Sequence, residues 1–264
     1  MRLLLAALFA FSIMIGAASA QDPSEKRLKE SPRHGEWVKI NQGDRQVQSY
    51  IVYPEVKEKA TAVVVIHEIF GLAPWVRSVT DQLAEAGYIA IAPDFLSGMA
   101  PKGGGTEEFG DGVRKAIQSL PPEQITADLN AVAAYVSKLD AANGKVVVCG
   151  FCWGGGQAFR YAMNNPDLKA AFVFYGMTEL NKENVAKIKC PVYGFYGEND
   201  ARINMSIPRT EELMKAAGKT YEPVIYDGAG HGFMRAGEMP NASPANKKGR
   251  DDAWERWKKI LAKL

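Results

Sequence analysis

Three cysteines (Cys149, Cys152, Cys190) and three histidines (His34, His67, His231) occur in 264 residues. Side chains able to attack an electrophile or carry protons near neutral pH are therefore few. Cys152 stands in Gly150-Phe-Cys-Trp-Gly154, after an apolar run at 145–149 and before a helix-like stretch from 155. A small residue two positions before and after a nucleophile is what a strand-to-helix elbow requires, here with Cys where Ser is usual. The turn is tight, so Gly150 and Gly154 have a mechanical reason to be glycine. Gly155 and Gly156 let the following helix pack close to the sheet. The helix N-terminus just past Cys152 favours a thiolate through its free N–H groups and dipole. The backbone N–H of Trp153 is the expected first donor to an oxyanion.

A cysteine nucleophile needs a base, because an ordinary thiol with a pKa of about 8.5 is mostly protonated at neutral pH. On such a fold the acid and then the base follow the nucleophile in chain order. His231 lies in Asp227-Gly-Ala-Gly-His-Gly-Phe233, a glycine-rich loop after the last strand-like segment. His34 sits in a polar arm and His67 at the end of an early strand. The acid candidate is Asp200 in Tyr196-Gly-Glu-Asn-Asp200, with Glu198 as its neighbour and competitor. His231 would take or hold the thiol proton and later protonate the leaving alkoxide. Asp200 would fix the imidazole tautomer and stabilise the imidazolium. An acyl-thioester hydrolysed by water completes the cycle.

Other readings of the same residues stand beside this one. Taken alone, the elbow could be a buried structural cysteine in a glycine-rich turn, His231 a surface loop residue, and Asp200 a turn or capping acid. Cys149-Gly-Phe-Cys152 is also a C-x-x-C, which in an oxidising compartment can be a redox pair. Redox pairs of that kind usually set the first cysteine at a helix N-terminus, whereas Cys149 ends a strand. Cys190 reads as a small buried apolar residue.

The elements that must position these groups alternate in type. Strand-like residues at 36–40 and 46–53 flank an Asn/Gly turn and predict a β-hairpin. Residues 61–66 form a continuous β-branched and apolar run, as expected of a strand buried on both faces of a parallel sheet. Further strands are expected at 88–92, 145–149, 170–175, 192–196 and 222–226. Helices are expected at 76–85, 122–139, 155–164, 208–217 and 245–264. The glycine-rich stretch 97–112 reads as a mobile loop. This order predicts an α/β fold with a mostly parallel central sheet, helices on both faces and an N-terminal antiparallel hairpin.

Composition agrees with a globular chain: 47% hydrophobic, 23% charged, net charge +2. No basic stripe suggests nucleic acid, so no nucleic-acid partner is expected. The histidines are few and not at ligand spacing, so neither a metal nor a cofactor is expected. Residues 1–20 carry Arg2, an apolar run and a small-residue end at Ala18-Ser-Ala20, the three-part pattern of a secretory signal. The expected organisation is a signal peptide at 1–20, a polar, loosely held arm at 21–35, and one domain at 36–264. The mature chain is expected to be exported (periplasmic or secreted), monomeric and free of the membrane.

With elbow, acid and base in place, the chain resembles the dienelactone hydrolase family of the α/β-hydrolases. The resemblance runs from about residue 36 to the C-terminus. It rests on Val64-Val-Ile-His-Glu-Ile-Phe-Gly71, Ala90-Ile-Ala-Pro-Asp94, Gly150-Phe-Cys-Trp-Gly-Gly155, Tyr196-Gly-Glu-Asn-Asp200 and Gly230-His-Gly-Phe233. It implies Cys152, Asp200 and His231 as the triad, and Glu68 as a carboxylate that helps activate the thiol when substrate binds. It implies the Ile69 N–H as the second oxyanion donor and Arg235 as a partner of a substrate carboxylate. A second family arginine has no assigned counterpart, although Arg114 and Lys102 lie in the corresponding segment. The expected activity is hydrolysis of small carboxylic esters or lactones. The alternatives are a general carboxylesterase or thioesterase without lactone preference, and a thiol redox protein using Cys149 and Cys152.

Overall fold

All seven residues of Ala60–Ile66 are buried. A strand with no solvent face needs cover on both sides, and its side chains alternate between two cores. Ala62, Val64 and Ile66 enter a cluster with Leu129, Val132 and Phe159. Val63 and Val65 enter the opposite cluster with Val76, Val79 and Trp257.

The computed structural model describes residues 22–264. The expected signal peptide and the mature start at Gln21 lie outside the described residues. Helix α1 (Pro23–Glu30) precedes the hairpin β1 (Gly35–Gln42) and β2 (Arg45–Val52). Strand β3 (Ala60–Ile66), helix α2 (Pro74–Glu85) and strand β4 (Ile89–Pro93) follow. Helices α3 (Val113–Gln118) and α4 (Pro122–Val136) lead to β5 (Ala142–Phe151) and α5 (Trp153–Asn164). The chain continues through β6 (Ala171–Phe174), α6 (Lys182–Ala186), β7 (Val192–Asn199), α7 (Ala201–Asn204) and α8 (Ile207–Ala216). It ends with β8 (Tyr221–Gly230), α9 (Phe233–Ala236) and α10 (Pro244–Leu261).

The strands form one sheet of eight in the order β1-β2-β4-β3-β5-β6-β7-β8. β2 runs antiparallel to both β1 and β4, and the pairs from β4 to β8 are parallel. The expected hairpin and parallel sheet are both present. The sequence steps from β3 to β4 on one side and to β5 on the other. That reversal opens a crevice at the carboxyl ends of β3 and β5, where open α/β sheets bind ligands.

Two segments are more ordered than the sequence suggested. The arm contains α1, whose N-terminus is capped by Asp22 accepting from the Ser24 N–H at 2.8 Å. Arg33 makes a two-pronged contact with the buried carboxylate of Asp81 at 2.9 and 2.7 Å, and Arg27 pairs with Glu85. The glycine-rich stretch holds short 3-10 turns at Thr106–Glu108 and Gly110–Gly112. Buried Asp94 accepts from the Thr106 N–H at 2.6 Å and from its hydroxyl at 2.7 Å. One carboxylate thus ties this stretch to the end of β4. Among the described residues, no helix is long and apolar enough to cross a membrane.

Candidate active site

Cys152 occupies the corner between β5 and α5 with φ 55° and ψ −115°. Positive φ is uncommon for a residue with a side chain, and it persists only where the surroundings enforce it. The enforcement is steric. A Cβ on Gly150 would lie 2.0 Å from the Gly154 carbonyl oxygen. One on Gly154 would lie 2.3 Å from the His67 carbonyl oxygen, and one on Gly155 2.6 Å from that of Phe174. The first turn of α5 is therefore pressed against the ends of β3 and β6. The Cys152 N–H is anchored to the Phe174 carbonyl at 3.0 Å. The Trp153 N–H belongs to the first helical turn, whose N–H groups have no acceptor within the helix.

His231 and Asp200 come from the neighbouring ends of β8 and β7. The register pairs Asn199 with Gly230, one residue before each of them. A Cβ on Gly197 would meet the Ala229 carbonyl oxygen at 2.6 Å, so this pairing depends on glycine. His231 Nε2 stands 3.1 Å from Cys152 Sγ, and His231 Nδ1 donates to Asp200 Oδ2 at 2.5 Å. Glu198, the competing acid, instead accepts from the Gly228 N–H at 2.7 Å and braces the loop. The contact with Cys152, and secondarily that with Asp200, raises the pKa of His231 to about 9 against a lowering by burial. The arrangement favours a protonated imidazole facing the Cys152 sulfur.

Glu68 follows β3 and is almost completely buried. Burial pushes its carboxyl above the usual range, while Arg235 and His231 oppose that shift. Its partner is Arg235, whose Nε lies 3.1 Å from Glu68 Oε2. The expected thiol-activating acid is thus at the site, and the expected anion-binding arginine holds it. The Arg235 guanidinium also lies 4.9 Å from the centre of the Phe70 ring, and that of Arg114 lies 5.1 Å from the same centre. Of the two basic residues left unassigned in that segment, Arg114 is the one placed over Phe70. Ile69 sits between Glu68 and Phe70 in the segment that follows β3.

Tyr175 was not anticipated. It is the other non-glycine residue at positive φ, 39°, among the described residues. Its buried ring meets the His231 ring edge-on, with centres 5.1 Å apart. Burial, together with the negative charges of Glu68 and Cys152, pushes its hydroxyl well above the ordinary range. Only its place at the end of an expected strand could have pointed to it. Cys149, by contrast, is fully buried, and burial raises its thiol pKa well above normal, against thiolate chemistry. Cys149, Cys152 and Cys190 are all free thiols. Among the described residues, no group of three or more His, Cys, Asp or Glu side chains could hold a metal.

Residues 47–264 match the dienelactone hydrolase family. The chain belongs to that family. A Salmonella typhimurium protein provisionally named carboxymethylenebutenolidase is 33% identical over 230 residues, covering 82% of each chain. A similarly named protein of Methylorubrum extorquens is 32% identical over 234 residues, 83% of this chain and 77% of its own. Among solved structures, a provisionally identified dienelactone hydrolase from Klebsiella pneumoniae superposes with a TM-score of 0.76 at 27% identity. That match covers 88% of this chain and 99% of the other. Family membership makes this protein a hydrolase of ester or lactone bonds on an α/β-hydrolase fold.

In this dienelactone hydrolase family member the His231 environment has a direct readout. The His231 proton should be retained to about pH 9 in an NMR titration. Cys152→Ala removes the largest cause of the rise while leaving burial, so the titration should move to lower pH. Because the folded value lies above the ordinary one of about 6.5, the associated stability is fully present below that pH. It is lost as pH climbs through about 9. A His231 titration unchanged by Cys152→Ala would mean that the sulfur contact does not govern it.

Proposed function

We propose that the protein hydrolyses small carboxylic esters or lactones through a covalent acyl-thioester on Cys152. The observation that carries this reading is the continuous line from Asp200 through His231 to Cys152 Sγ at 2.5 and 3.1 Å. The Cys152 thiolate adds to the substrate carbonyl carbon, forming a C–S bond and moving the carbonyl pair onto oxygen. The N–H groups of Trp153 and Ile69 receive that oxyanion. On collapse the C–O bond breaks, and His231 Nε2 gives its proton to the leaving alkoxide. Water, deprotonated by His231, then attacks the thioester carbonyl, the C–S bond breaks to release the carboxylic acid, and the Cys152 thiolate is returned beside the protonated His231. Asp200 holds Nδ1 and stabilises the imidazolium throughout.

Arg235 and Glu68 support an anionic substrate. A substrate carboxylate competes with Glu68 for the Arg235 guanidinium, with Arg114 over the same Phe70 ring adding positive potential. Displaced from its cation, Glu68 is a buried carboxylate near His231, where taking up a proton is favoured. Arrival of the anion and activation of the nucleophile are thereby coupled. The amino-terminal pattern of residues 1–20 supports export of the mature chain, and this reading places the hydrolase outside the cytoplasm.

Hydrolysis of a panel of small neutral esters and carboxylate-bearing enol-lactones, with reductant present, tests the reading. Cys152→Ala should abolish turnover of every substrate, and retained turnover would overturn the nucleophile assignment. Arg235→Ala should lower kcat/KM on the carboxylate-bearing lactone by about tenfold or more, the worth of one charged hydrogen bond of about 1.5–3 kcal/mol. Neutral esters should lose less. An equal loss on both classes would remove the anion-binding role.

A further inference from the structure

The crevice contains a histidine that the proposed chemistry does not use. His67 directly follows β3, is completely buried, and is kept neutral because burial lowers its pKa. Its Nδ1 lies 2.8 Å from the Glu68 carbonyl oxygen. A carbonyl only accepts, so Nδ1 carries the proton and donates. Nε2 is then a bare lone pair, buried without a hydrogen-bond partner among the described residues. Burying such an atom unpaired is costly, and a phenylalanine would fill the same space without the cost. The polar atom that does work is Nδ1, and its acceptor matters. The Glu68 carbonyl and the Ile69 N–H belong to one planar peptide group. The Gly71 N–H donates to that same carbonyl at 3.1 Å. Two donors therefore fix the peptide from its oxygen side, and planarity fixes where its N–H points.

The His67 ring also stacks on Trp153, with ring centres 5.6 Å apart and planes 17° from parallel. Phe95 closes the cluster edge-on against both rings, 5.1 Å from His67 and 5.9 Å from Trp153. The backbone of His67 in turn presses on Gly154. One residue thus touches the supports of both expected oxyanion donors.

We propose that His67 is a positioning residue that aims the Ile69 N–H, and through its stack on Trp153 sets the spacing between the two oxyanion donors. This rests on the oxyanion assignment made under the proposed function. Loss of one such donor costs about 100- to 1,000-fold in kcat, and misaiming one should cost about tenfold or more.

His67→Phe keeps the ring and removes the donor, while His67→Asn puts an amide N–H near the Nδ1 position and removes the ring. With folding checked by circular dichroism, His67→Phe should lower kcat by about tenfold or more with KM little changed, as for an interaction made only in the transition state. A trifluoromethyl ketone inhibitor, which forms a tetrahedral oxyanion, should lose affinity in parallel. Alkylation of Cys152 by iodoacetamide develops no oxyanion and should keep its wild-type rate. His67→Asn should recover part of the lost kcat. If His67→Phe does not fold, His67→Leu against His67→Asn supplies the same comparison of donor absent and donor present. Unchanged kcat in the donorless variant, or a loss matched by slower alkylation, overturns the inference alone when Cys152→Ala is inactive in the same assay. Full activity of Cys152→Ala would overturn the nucleophile reading and this inference with it.

Discussion

The first turn of α5 lies in backbone contact with the ends of three strands. Gly150, Gly154 and Gly155 are the places where that contact happens, each with a carbonyl oxygen where a Cβ would have to go. This close approach forces Cys152 into its φ of 55° and lifts its sulfur out of the sheet toward His231. It also brings Trp153 against the segment that follows β3, where its ring stacks on that of His67. An alanine at any of these glycines would need to push main chain rather than a flexible side chain. The strain at Cys152 is sustained by packing on both faces of the sheet, with Phe151, Phe174 and Trp257 buried on one and Phe159 and Tyr161 on the other.

Around that corner the charges form two pairs. His231 faces Asp200 and Cys152, and Arg235 faces Glu68. Each buried acid has a cation, as burial of charge requires. The second pair is the more exchangeable, because Arg235 is about half exposed, at 46%, while Glu68 is not. A ligand anion can reach the arginine from solvent without unpacking the core. Tyr175 packs edge-on against the His231 ring.

Much of this was legible in the chain. The elbow could be read because its geometry requires small residues at fixed offsets, and the meeting of Asp200 and His231 with Cys152 because all three follow strands in the order the fold imposes. The parallel sheet was legible in the unbroken apolar run at Ala60–Ile66. Less visible were features made by long-range contacts. Helix α1 buries only Ser24 along its length and has no apolar stripe. Its order comes from ion pairs of Arg27 and Arg33 with Asp81 and Glu85, some fifty residues away in the chain. The tethering of the glycine-rich stretch by Asp94 is similar, a single carboxylate replacing the periodicity that local reading depends on. The resting partner of Arg235 was also hidden, since nothing in the sequence says that a substrate-binding arginine is occupied by Glu68. His67 and Tyr175 carried no pattern beyond standing at strand ends.

Acid-quenched mass spectrometry of the enzyme mixed with an activated ester for less than one turnover tests the covalent chemistry most directly. The account predicts a transient mass increase equal to the acyl group, located by peptide mapping on the segment containing Cys152 and absent from Cys152→Ala. Turnover without any adduct at the earliest times, or an acyl group mapped to another residue, would contradict it.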